Sequence, residues 1–414
     1  MSYDILIYFL LSCISLCLGL LYFIHPKKVL SIFFITSLII PTSNQFMTFI
    51  SLNGVYFFDY FFLAISIYYL VSLSIKKNIF KKNIFNIVLL LSFIIFYFFL
   101  AISNSVAFDK YLLRDLRPFL TLFYAFIFTS ILSKNYISFR FLANILICVF
   151  IFKLLFFIFL LVGYSFDDQY YQNNIFRYFD AVTFIASLFL ISSIFKRDLM
   201  RKEVSDFHLN LILFLAVTIV LISNLRILIF AIGIIYLVFE KRNLVYKIFY
   251  TSIPIILFFV YSYAMNANRV IESNNSDIVT LQIISRFTPA IEKIVEMKAY
   301  QYIYGLGVGT YFEIPWFEYR GLDSKLNTID STYLTLFVKY GIFSLLLIIL
   351  FFRLLLFNIN DLKIRQCIMI FYIIIFITMS SLYQPGTVFH FLFLNLLFLS
   401  LSNEDTSHTI PINS

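Results

Sequence analysis

The chain has 414 residues, of which 62% are hydrophobic, 21% aromatic and only 13% charged, with a mean hydropathy of +0.94 and a net charge of +9. This excludes an ordinary soluble domain and points to an all-α polytopic membrane protein, since backbone polar groups in lipid must be satisfied within the segment. The positive charge reads as a topological signal, with no nucleic-acid partner expected, and the four cysteines all lie in apolar runs, which gives neither a disulfide framework nor metal-ligand spacing.

In chain order, apolar runs predict helices at roughly 4 to 24, 29 to 42, 55 to 75, 84 to 103, 118 to 133, 141 to 163, 181 to 195, 209 to 223, 226 to 239, 248 to 263, 331 to 352, 366 to 381 and 387 to 401. The first run has no basic leader and no small-residue cleavage site, so it is expected to be a retained helix. With the N-terminus outside, alternate connections carry eighteen basic residues, from Lys27 and Lys28 through Lys196, Arg197, Arg201 and Lys202 to Arg353, Lys363 and Arg365. The short connections on the other side carry five: Lys110, Arg114, Arg117, Arg177 and Arg226. By the positive-inside rule the richer side is cytoplasmic. The expected organisation is a bundle of about ten helices over 1–263, a large outward loop over 264–330, further membrane helices over 331–402 and a polar tail over 403–414.

Within the long loop, Thr288 and Pro289 read as an N-cap with proline at the first helical position, and Gly305 as a stop. Ile291, Ile294, Val295 and Tyr302 would face one way and Glu292, Lys293 and Glu296 the other, as in a helix lying on a membrane surface. The triplet Gly305, Gly307 and Gly309 lacks the lysine and Ser/Thr of a P-loop and the spacing of a dinucleotide fold, so it reads as a flexible turn.

The chemistry-bearing residues gather on the side with few charges. Lys110, Arg114 and Arg117 stand at i, i+4 and i+7, which places three cations on one helical face able to hold a phosphate or diphosphate, or to anchor among lipid headgroups. Arg226 sits in a hairpin too tight to give it much reach, which suits fixed anion binding, with snorkelling as the alternative. Arg177 lies three residues from Asp180, and Arg286 just before the surface helix. Asp330 would begin the helix that re-enters the membrane, either as its N-cap or as a general base whose pKa partial burial raises. Tyr333 follows on the same face, whereas Lys339 points away from Asp330. Asp59 and Lys153 fall inside helices and would pair with each other or line a cavity.

This layout resembles the bacterial O-antigen polymerase and O-antigen ligase superfamily: many helices, one large late loop on the periplasmic side, and grouped arginines there. Gly305 and Gly307 match the family's glycine turn, Asp330-Ser331-Thr332-Tyr333-Leu334 its second element, and Gly341-Ile342 part of its third. Arg226 falls where the family has Ser-Arg-Gly, although Ile227 replaces the glycine, and Arg286 where an arginine precedes the glycine turn. Asp330 stands in place of the ligase histidine and Ser331 in place of the asparagine, as in the polymerase branch. The resemblance implies a GT-C-like fold and an inverting glycosyltransferase that needs neither metal nor cofactor. It would work at the periplasmic face of the bacterial inner membrane, moving a glycan from undecaprenyl diphosphate to a sugar hydroxyl. A chain-length regulator and a flippase would be its partners. Asp330, Arg226 and Arg286 would be catalytic; Arg114, Arg117, Arg177, Tyr333, Gly305 and Gly307 would bind substrate. A lipid-linked oligosaccharide flippase and an O-antigen ligase are the alternative readings.

Overall fold

The computed structural model describes residues 3–40, 48–52, 54–75, 80–103, 110–132, 137–163, 179–223, 225–240, 243–265, 276–315, 318 and 324–402. The protein is all-α. Its helices are α1 (Tyr3–Leu21), α2 (Pro26–Ile39), α3 (Asp59–Ile75), α4 (Phe80–Ser103), α5 (Lys110–Asp115), α6 (Arg117–Leu132), α7 (Phe139–Gly163), α8 (Ala181–Glu203) and α9 (Asp206–Ile222). They continue with α10 (Arg226–Phe239), α11 (Leu244–Met265), α12 (Ser276–Val295), α13 (Gln301–Tyr304), α14 (Thr332–Tyr340), α15 (Ser344–Leu355), α16 (Leu362–Thr378) and α17 (Thr387–Ser402). Two short antiparallel ladders join them, β1 (Ser51–Leu52) with β2 (Val55–Tyr56), and β3 (Phe312–Glu313) with β4 (Lys325–Leu326).

Each of the thirteen apolar runs falls on a helix, and three stretches are long and apolar enough to cross a membrane: Tyr3–Leu21, Phe139–Phe159 and Thr332–Leu355. Large apolar side chains such as Phe214, Phe230, Ile256 and Phe259 are exposed on the outside of the bundle, where water would be a poor solvent for them. The third stretch is interrupted. Gly341 takes φ +56°, and a 3-10 turn over Gly341–Phe343 separates α14 from α15.

The centre of the bundle is α17, apolar on every face and buried along nearly its whole length, as a helix without a polar stripe must be. It packs on α6, α8 and α15. Two of its polar groups bond to neighbouring segments: the Tyr372 hydroxyl lies 2.9 Å from His390 Nδ1, and Asn358 Nδ2 donates to Asn395 Oδ1 at 2.6 Å, while His390 Nε2 is buried without a hydrogen-bond partner among the described residues. A smaller core forms under the long loop, where Ala290, Met297, Phe312, Ile314, Ile329 and Val338 meet.

Ion pairs hold the two ends. Lys196 Nζ lies 3.5 Å from Asp361 Oδ2, which joins α8 to the start of α16 at the end that carries the basic connections. Towards the opposite end Lys153 Nζ lies 2.7 Å from Asp180 Oδ2. Asp180 also caps α8, accepting the Val182 N–H at 3.0 Å within a capping box completed by Thr183. The expectation that Asp59 and Lys153 pair with each other is therefore corrected: Lys153 pairs with Asp180, and Asp59 with Arg117.

The start of the surface helix is also corrected. Pro289 lies inside α12, which begins at Ser276, and the chain passes from Val295 to the separate short helix α13 before reaching Gly305. Ile291 and Val295 are exposed, together with Ile283 and Ile284, while Ala290 and Met297 face the small core. The expected apolar face is therefore split: Ile291 and Val295 lie outside, whereas Ile294 packs against the small core and Tyr302 belongs to α13.

Candidate functional site

At the end of the bundle away from the basic connections, a cavity of about 200 Å3 is lined by Arg114, Arg117, Asn327, Thr328, Tyr383 and Gln384, with Gly54, Tyr56, Ser380 and Pro385 completing its wall. Four segments far apart in sequence supply these residues: the β1–β2 hairpin, the α5–α6 junction, the stretch between β4 and α14 and the turn before α17. The volume is below the range of about 300–1,000 Å3 typical of small-molecule sites. It suits a compact anionic group, with anything larger lying outside.

The two arginines have different fates. The chain breaks between them, because α5 ends at Asp115 and α6 starts at Arg117 with Pro118 beside it, so they do not share one helical face as the spacing suggested. Arg117 is buried. Its Nη1 donates to both Asp59 oxygens at 2.8 and 2.7 Å, its Nη2 donates to the Pro385 carbonyl at 2.9 Å, and its guanidinium stacks on Tyr56 and Phe58. Asp59 is fixed in turn by the Tyr56 N–H at 2.8 Å. Arg117 is thus largely neutralised and serves as a strut, whereas Arg114 is partly exposed and has no carboxylate partner among the described residues. The positive charge available in this cavity is mainly that of Arg114.

Beneath the cavity lies a buried pair that the sequence reading did not single out. Lys339 Nζ donates to Asp115 Oδ1 and Oδ2 at 2.5 and 2.6 Å and to the Thr310 carbonyl at 2.7 Å. The Gly309 N–H donates to Asp115 Oδ2 at 2.7 Å, and the Tyr340 hydroxyl to the Asp115 carbonyl at 2.7 Å. Burial pushes the Asp115 carboxyl up from its ordinary value, and the Lys339 ammonium, the Gly309 N–H and the Asn327 side chain oppose this by stabilising the charged form. Asn327 thus links the pair to the wall of the cavity. The one sequence signal was its position: an acid between two arginines, and a lysine in an apolar helix.

The glycine turn is locked rather than flexible. Gly305 has φ +78°, and a side chain there would collide with the backbone of Lys339 and Tyr340; one at Gly341 would approach the Ile303 carbonyl to 2.5 Å. The Leu306 N–H bonds Val338 O at 2.8 Å and the Gly307 N–H bonds Lys339 O at 3.0 Å, closing the C-terminal carbonyls of α14. The N–H groups of Gly305, Gly307 and Gly309 all donate to protein acceptors, which leaves Gly305 and Gly307 a structural part in this conformation instead of one in substrate contact. Gly305→Ala combines a disfavoured φ with a backbone clash and should destabilise the protein by at least about 1–3 kcal/mol, read as a lower melting temperature in detergent.

Asp330 is displaced by one residue from its expected structural role. Ser331 is the N-cap of α14, accepting the Leu334 N–H, and Thr332 ties the same start to the next turn by donating to Met379 O at 2.5 Å and accepting the Ser381 N–H at 3.0 Å. Asp330 is exposed, which removes the expected partial burial, and its Oδ2 lies 3.6 Å from Arg286 Nε. Ser331→Ala should cost about 0.5–2 kcal/mol as a lost cap, while Asp330→Ala should stay within about 0.5 kcal/mol; thermal melts of the two variants compare them directly.

The remaining expected residues are spread out. Asp330 follows two residues after Thr328, so its Cα lies within about 8 Å of the Thr328 Cα in the cavity wall. Tyr333 packs edge-on against Phe376 and does not line the cavity. Arg226 is exposed at the first position of α10 and does not line it either. Arg177 lies outside the described residues. Among the described residues, no group of three His, Cys, Asp or Glu side chains could hold a metal ion.

A helical bundle with membrane-length apolar spans and a small cationic cavity at one end defines an all-α membrane protein. Residues 121–409 match the model of DUF6369, described as a family of unknown function, and the chain belongs to that family. No curated protein and no solved structure matches the chain. The matched region begins just after Arg117, so it holds Asn327, Thr328, Asp330 and Lys339 but not Arg114 or Asp59.

Proposed function

We propose that the protein joins lipid-linked oligosaccharide repeat units at the periplasmic face of a bacterial inner membrane, as an inverting glycosyltransferase whose donor is a glycan on undecaprenyl diphosphate. The observation that carries this reading is the cavity that brings Arg114 together with Asn327 and Thr328, two residues before Asp330. In this account the basic connections face the cytoplasm and all thirteen apolar helices cross or line the bilayer.

The donor diphosphate enters the cavity and is held by the Arg114 guanidinium, with hydrogen bonds from the Asn327 amide and the Thr328 hydroxyl. The lipid tail runs back along the apolar outer surface of the bundle, and the glycan projects outward, because the cavity is too small to enclose it. Asp330 takes the proton from the acceptor hydroxyl as that oxygen bonds to the anomeric carbon, and the bond from that carbon to the diphosphate oxygen breaks. Arg114 stabilises the negative charge that collects on the leaving diphosphate. Arg286 holds Asp330 in place until the acceptor arrives.

Deletion of the gene followed by glycan analysis tests this. Loss of a polymerase leaves surface glycan one repeat unit long. Complete loss of surface glycan with units trapped inside would show a flippase, and long polymer retained on the lipid carrier would show a ligase; either would overturn the proposal.

A further inference from the structure

A second cavity, of about 640 Å3, opens between α8, α9, α10 and α11, and it has no part in the chemistry proposed above. Its size lies within the range of small-molecule sites, and its walls are mostly aliphatic, with Leu190, Leu213, Val217 and Ile232 among them. A polar ligand would lose its hydrogen bonds to water there without replacing them. The charged lining residues fall together at one end, where α8 contributes Arg197, Asp198 and Arg201 and Glu240 follows α10.

Two observations indicate an occupant. Arg197 donates through Nη2 to Asn210 Oδ1 at 3.1 Å and has no carboxylate partner among the described residues, whereas Arg201 is held by Asp206 at 2.9 Å. Midway along α10, a Cβ built on Gly233 would meet nothing within 4 Å, so the empty space reaches the helix backbone. A guanidinium not paired with a carboxylate at the end of an apolar cavity is a ready anion site, and packed interiors do not leave such a channel open without filling it.

We infer that this cavity binds one phospholipid, with a fatty chain along the channel past Gly233 and the phosphate on Arg197. With Arg201 taken by Asp206, the lining at that end sets Arg197 beside the acids Asp198 and Glu240, which fits a zwitterionic head carrying an ammonium, such as phosphatidylethanolamine, better than an anionic head. The site lies at the end of the bundle that carries the basic connections, away from the Arg114 cavity, so it stands or falls independently of the glycan chemistry.

Native mass spectrometry of the full-length protein in mild detergent, with phosphatidylethanolamine or phosphatidylglycerol added back, tests the assignment. The wild type should retain one phosphatidylethanolamine per chain, and added lipid should raise its melting temperature. Arg197→Gln should weaken retention about tenfold, the scale of one charge-assisted contact. Gly233→Phe fills the channel, so it should bind no lipid, melt no lower than the delipidated wild type and fail to respond to added lipid. Lys202→Gln, an exposed change on the same helix, should bind as the wild type does. Unchanged retention by Arg197→Gln would overturn the site even if Gly233→Phe did not fold, as would a wild type that binds neither lipid. Tighter binding of phosphatidylglycerol would overturn the zwitterionic head.

Discussion

Lys339→Met should be the most damaging single substitution in the protein, lowering stability by about 3–5 kcal/mol, the usual result of stranding one member of a buried ion pair. The side chains of Lys339 and Asp115 are fully buried, and Lys339 gives Asp115 two contacts of 2.5 and 2.6 Å. With the ammonium gone, the carboxylate keeps the Gly309 N–H and the Asn327 side chain but loses the one opposing charge within contact distance among the described residues. The consequence should spread, because the Gly305–Gly309 turn and α14 meet at this pair and Asn327 links it to the cavity wall. Combining Lys339→Met with Asp115→Asn removes both charges and keeps an acceptor for the Gly309 N–H, so it should recover most of the loss. Thermal melts in detergent of the wild type, the single variant and the double variant check this; a double variant no better than the single would show that the charge itself is not what matters.

Arg114→Ala should lower the transfer rate by about 100-fold or more, the scale seen when a donor that stabilises developing charge is removed, and should leave the melting temperature nearly unchanged because the side chain is partly exposed. Arg114→Lys should recover only part of the activity, since a point charge replaces a planar fork. Arg117→Ala should behave differently. It strands Asp59, and its cost should appear as instability alongside the loss of activity. Asp330→Asn should slow transfer by about 100-fold or more if the carboxylate takes the acceptor proton, with folding unaffected. Chain-length profiles of cells carrying each variant, normalised to protein level, separate these outcomes.

The helices were legible because long apolar runs are the strongest signal a sequence carries, and each of the thirteen runs lies on a helix. Arg114 and Arg117 were legible as neighbours because they stand three residues apart, whereas Arg226, expected to join them, does not line the cavity. The individual roles of the two neighbours were not legible. Arg114 and Arg117 look alike in sequence, and what separates them is Asp59, 58 residues away, which takes the charge of Arg117. The Asp115–Lys339 pair spans 224 residues, and no local pattern announces a contact over that separation. Asp330 and Ser331 are both good N-cap residues, and helix starts read from sequence shift easily by one position. The glycine turn was recognised as a turn, but its rigidity comes from contact with α14, which begins 23 residues after Gly309.

The most direct test uses purified protein reconstituted in lipid vesicles with a single undecaprenyl-diphosphate-linked repeat unit and follows the products on a gel. The wild type should build a ladder of longer glycans, and Arg114→Ala, folded to the same melting temperature, should give little or none. A wild type that leaves the repeat unit unextended, or an Arg114→Ala ladder equal to that of the wild type, would contradict the assignment of this cavity as the diphosphate site.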